Sequence, residues 1–107
     1  MSRRDREIIT PLVEQINAVR REFGGCEFTE AQMRGFAFQH ATLSREAFAK
    51  WLTGWRDAYQ KAGPKLVTLG LTIDRADALW AGAPESGGGY GKFVEFVDRL
   101  LVEQAGR

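Results

Sequence analysis

Apolar residues recur at three- and four-residue steps along most of this chain, and that period belongs to helices. Ile9, Leu12, Val13, Ile16, Val19 and Phe23 share one face of a helical wheel. Phe48, Trp51, Leu52, Trp55 and Tyr59 make a second stripe, with Lys50, Asp57, Gln60 and Lys61 opposite. Tyr90, Phe93, Val94, Val97, Leu100 and Leu101 make a third. The alternation expected of strands is scarce, so the sequence predicts an all-α fold.

Local signals divide this pattern into elements. The first helix starts at Asp5 or at Pro11. Pro11 suits the first position of a helix capped by Thr10, and it also suits a kink. Gly24-Gly25 ends that helix after Phe23. Thr29-Glu-Ala-Gln32 reads as a capping box that opens a second helix, running to about His40. Ser44 caps a third, from Arg45 to about Lys61, with Gly63-Pro64 as its stop. Leu66–Leu69 reads as a short apolar turn ended by Gly70. Thr72 or Asp74 then caps a short helix carrying Ala76, Leu79 and Trp80. Residues 81–89 form a glycine-rich, flexible loop, and a last helix runs from about Tyr90 to Glu103. The expectation is one compact domain over residues 1–107, a bundle of about five helices, three long and amphipathic and two short.

Composition removes several classes of function. The chain has 15 Lys and Arg against 14 Asp and Glu. That balance gives little of the cationic excess from which nucleic-acid proteins draw non-specific affinity. One cysteine, Cys26, allows no internal disulfide and points to a reducing, cytoplasmic setting. Arg3–Glu7 leads into Ile8-Ile9-Thr10-Pro11 without the apolar core of a signal peptide, and no stretch approaches the length of a membrane helix.

Catalytic and cofactor constellations are poorly supported. Ser86-Gly-Gly-Gly-Tyr-Gly-Lys92 ends like a P-loop. It lacks the first glycine, the final Ser or Thr and the preceding strand. His40 and Cys26 are too few for a transition-metal site, so no metal and no cofactor is expected. Asp74 with Asp77, and Glu95 with Asp98, are spaced as ordinary solvated pairs. His40 has Ser44 four residues on but no acid in sight, which points away from a nucleophilic enzyme. As a helix-end histidine, its charge would favour the terminal carbonyls.

The surplus lies in the aromatics: seven Phe, three Trp and two Tyr. Most fit helix stripes. Phe38 stands about 160° from Phe36 on a wheel, so one of the two leaves the shared face. Phe96 widens its stripe, and Phe28 and Tyr90 flank loops. These four are the candidates for a partner-binding face or a homodimer seam. The leading expectation is a small non-catalytic interaction module: an adaptor, inhibitor or regulatory subunit that binds a protein. An alternative is a helix-turn-helix DNA binder formed by Leu66–Leu69, Gly70 and Ile73–Trp80. Its phosphate contacts would be Arg3, Arg4, Arg6, Arg45, Lys50, Arg75 and Lys92, although Asp74 and Asp77 oppose that role. A further alternative is a ligand-binding protein or enzyme with a pocket lined by Trp51, Trp55 and Tyr59.

Overall fold

The computed structural model describes residues 3–84 and 86–106, with side chains from Glu7 onward. Five helices follow one another: α1 (Arg3–Glu22), α2 (Glu30–Gln39), α3 (Arg45–Leu69), α4 (Ile73–Ala81) and α5 (Gly89–Ala105). No strand occurs among the described residues. The fold is all-α, with three long helices and two short ones, as the periodicity requires.

The longest helix, α3, organises the rest. It packs along α1 and along α5, and α4 touches both α3 and α5. The result is elongated, 51 × 26 × 20 Å, because a 25-residue helix alone spans about 38 Å. Ile16, Leu52, Leu66, Ile73, Phe93 and Val97 fill the centre and are fully buried. Each lies on the apolar stripe of its own helix.

Of the two starts open for the first helix, the structure takes the earlier, and Pro11 lies inside α1. It is exposed, so the turn it weakens is one that water reaches. Gly63-Pro64 does not stop α3, which continues to Leu69. Ala62, Gly63 and Leu66 are buried on the inner face, and that burial holds the helix through an outward-facing proline. The Phe23 ring occupies the space above Gly63, where a Cβ would come within 2.4 Å of it. This glycine therefore marks a close approach of α1 to α3 and not a helix end. The stop comes at Gly70, whose φ of 72° closes the helix and whose N–H donates to the Leu66 and Val67 carbonyls.

The turn after α1 is built against α4. Gly24 has φ 78°, and a side chain there would collide with Thr72. Ile73 N–H donates to the Phe23 carbonyl at 2.9 Å, fastening the start of α4 to the end of α1. In the connection before α5, residues 82–84 and 86–88 form turns and bends. Gly88 caps α5 without a side-chain bond.

Candidate functional site

The feature that most departs from an ordinary helical core is a buried arginine. Arg20 follows Ile16 by four residues, which places it on the inward face of α1, and it is 3% exposed. Its Nε donates to the Cys26 carbonyl at 2.7 Å, and its Nη2 donates to Asp77 Oδ2 at 2.8 Å. Asp74 Oδ1 lies 3.8 Å from the same Nη2. The guanidinium rests on two ring faces, 4.3 Å from the centroid of Phe28 and 5.0 Å from that of Tyr59. Nη1 makes no hydrogen bond, and the aromatic faces supply its electrostatic complement. Burial opposes the charge, but the Tyr59 and Asp77 oxygens outweigh it, so Arg20 stays cationic.

This arginine ties three segments together. Through Cys26 and Asp77 it joins α1, the loop after it and α4. Cys26 adds a second tie: its N–H donates to Asp74 Oδ1 at 2.9 Å, and its thiol donates to Oδ2 at 3.0 Å. Those bonds hold the Asp74 carboxyl below its usual range and push the Cys26 thiol up. Asn17 then clamps the next residues, accepting from Phe28 N–H at 2.8 Å. The Phe28 ring is thereby fixed over Arg20.

Beside this cluster lies a cavity of about 270 Å³. α3 supplies Trp51, Leu52, Trp55 and Tyr59 to its wall, and α4 supplies Asp77 and Trp80. Ile16 comes from α1, Phe28 from the loop, and Met33 and Phe36 from α2. The rings form one connected set. Phe28 meets Phe36 edge-on at 5.3 Å, Phe36 faces Trp51 at 5.7 Å, and Trp55 lies 5.5 Å from Tyr59. Burial raises the Tyr59 phenol well above its ordinary value, and the nearby Asp77 charge adds to the rise. Burial also raises Asp77, while Arg20 draws it back.

The four aromatics proposed for a partner face separate. Phe38 is 83% exposed on the outer side of α2, and it is the residue that leaves the face held by Phe36. Phe96 is corrected: it is buried, with its ring 5.5 Å from that of Trp80 and the Arg99 guanidinium 5.8 Å from its centroid. Its widening of the α5 stripe serves a second core contact. Phe28 is half-buried as described. Tyr90 is half-buried with its ring against Gly54 and Trp55.

The helix-turn-helix expectation is corrected in its geometry. Leu66–Leu69 is the last turn of α3, not a separate run. The would-be reading helix, α4, commits Asp77 to buried Arg20 and Asp74 to Cys26. Of the cations proposed for phosphate, Arg45 lies 3.4 Å from Glu46 and Lys92 lies 3.4 Å from Glu95. Arg75 is exposed, and Lys50 is exposed beside Tyr90 in a groove between α3 and α5. The side chains of Arg3, Arg4 and Arg6 lie outside those described.

The remaining chemistry-bearing residues have structural duties. His40 caps α2, its Nδ1 facing the Phe36 carbonyl at 2.8 Å and its ring 4.3 Å from Trp51. Ser44 Oγ accepts from Ala47 N–H at 3.1 Å, which commits it to capping α3. No group of three or more His, Cys, Asp or Glu is placed to hold a metal among the described residues. Nor is any helix there long and apolar enough to cross a membrane. No protein-family model matches this chain, and no curated protein or solved structure matches it.

Sequence reasoning named Trp51, Trp55 and Tyr59, passed over Arg20, and read Asp77 with Asp74 as a solvated pair, where the structure binds Asp77 to buried Arg20. A signal existed for Arg20, because it falls four residues after Ile16 and beside Val19 on the apolar face. None existed for its pairing with Asp77, which is 57 residues away.

Proposed function

We propose that this domain is a non-catalytic binding protein that takes a small, largely apolar molecule in the aromatic cavity. The observation that carries this reading is the wall itself. Six of its side chains are half-buried rings or a thioether: Trp51, Trp55, Trp80, Phe28, Phe36 and Met33. A domain free to bury such side chains completely would lower its free energy by closing over them. Here they border a space of about 270 Å³, just below the usual range of ligand pockets. Asp77, held by Arg20, is the charged group on this wall and would orient a ligand.

Three tryptophans line the cavity, so binding has an intrinsic reporter. Titration with neutral aromatics such as benzyl alcohol, followed by tryptophan emission and thermal melting, tests the reading. Saturable quenching with a raised melting temperature supports it. A flat response across a panel of apolar and aromatic molecules removes it.

A second reading, association through the outer side of α2, is favoured by Phe38. Its ring is the largest apolar side chain left open to water among the described residues. Sedimentation across a concentration series, with Phe38→Asp as the control, tests the simplest form, a homodimer. A monomer at every concentration removes that form.

A further inference from the structure

The geometry points to an organic cation, an alkylated ammonium group, as the ligand the aromatic cavity takes. This inference rests on the cavity being a binding site and adds the class of molecule. Two observations carry it.

The first is charge. At the Arg20 end, one guanidinium faces two carboxylates, Asp74 at 3.8 Å and Asp77 at 2.8 Å. Asp74 is half exposed and accepts from the Cys26 N–H and thiol. Asp77 is the member that lines the cavity, so a carboxylate is the polar group a ligand meets there. An anion would be repelled by it in an apolar wall.

The second is the faces of the rings. The protein already places a cation on two members of this wall: the Arg20 guanidinium lies over Phe28 and Tyr59. Trp51, Trp55 and Trp80 extend the same wall. Indole faces attract cations more strongly than phenyl faces do. An alkylated ammonium suits this mixture, because its carbons match the apolar wall while its diffuse charge engages the rings and Asp77. A bare ammonium would lose its hydration with few hydrogen-bond acceptors to replace it.

The test uses three probes on the intact protein at constant ionic strength: choline, its uncharged carbon isostere 3,3-dimethyl-1-butanol, and indole. Titration calorimetry is the readout. The expected result is saturable binding of choline, about tenfold or more tighter than the isostere. Trp51→Leu, which removes a ring without touching Arg20, weakens choline by several-fold. Asp77→Asn weakens choline more than it weakens indole. Equal binding of choline and the isostere overturns the inference, as does binding of indole without choline. Both of those results leave the pocket reading standing. If none of the three binds, the cation and the pocket fall together.

Discussion

α2 and α3 both begin with a side-chain cap and both border the cavity, yet they are held in different ways. The start of α2 is the better made. Thr29 Oγ1 accepts from Gln32 N–H at 3.1 Å, and Gln32 Oε1 accepts from Thr29 N–H at 2.8 Å, completing a capping box. α3 has the single bond from Ala47 to Ser44. Burial reverses the order. α3 buries seven residues and α2 buries none of its described ones. A cap decides where a helix starts, and the buried face decides whether it stays. The α3 side of the cavity is therefore its fixed wall. The α2 side, which contributes Met33 and Phe36, is the wall that opens at least cost.

The strongest way to break this contrast is to remove the tie behind the fixed wall. Arg20→Ala leaves Asp77 without its partner and releases the Cys26 carbonyl. The expected loss is about 3–5 kcal/mol in urea unfolding. Replacing both charges, Arg20→Met with Asp77→Leu, should recover much of it, since two apolar side chains need no desolvation. A loss below about 1 kcal/mol for the single variant would mean the pair does not organise the wall.

Next in size is a matched truncation on the two walls. Leu52 is 1% exposed on α3, and Leu52→Ala should cost about 2–5 kcal/mol. Met33 on α2 is half-exposed, and Met33→Ala should cost well under half of that. Chemical denaturation of both variants measures the difference directly. Equal costs would erase the distinction between the walls.

Tyr59 gives a smaller, pH-dependent effect on the fixed wall alone. Burial raises its phenol above the ordinary value of 10.0, with Asp77 adding to the rise, so the folded protein holds the proton more tightly than the unfolded chain. Below pH 10 both states keep it and this contribution is complete. Above pH 10 the unfolded chain ionises first, and stability falls by up to about 1.4 kcal/mol per pH unit. Tyr59→Phe should flatten the slope relative to the native protein. Comparing urea midpoints of the two proteins at pH 8 and pH 11 isolates the phenol from the lysines, which titrate in both.

The same contrast explains what the sequence could reveal. Stripes such as Phe48, Leu52 and Tyr59 were legible because each residue's burial follows from its position on one helix. Gly63-Pro64 misled because local propensity favoured a stop, while Leu66, buried one turn later, and the Phe23 ring over Gly63 favoured continuation. Phe96 misled for a related reason: a residue off the narrow stripe is exposed only when no second helix reaches it, and Trp80 of α4 does. The site was legible on α3, where Trp51, Trp55 and Tyr59 share a stripe. Its charge was not, because Arg20 meets Asp77 only after α1 and α4 have docked.

The smallest effect is the sharpest comparison, because one chemical change is made at both caps. Ser44→Ala and Thr29→Ala each delete a bond to a backbone N–H, worth about 1 kcal/mol. On α3 the loss should appear in full in the global unfolding free energy, since that helix cannot fray without exposing Phe48 and Leu52. On α2 it should appear as faster amide exchange over residues 30–39, with the urea midpoint nearly unchanged. A ligand that closes the cavity would restore slow exchange in Thr29→Ala, because Met33 and Phe36 would then be held from the inside. If Thr29→Ala lowers global stability as much as Ser44→Ala, α2 unfolds together with the rest and is not a separately opening wall.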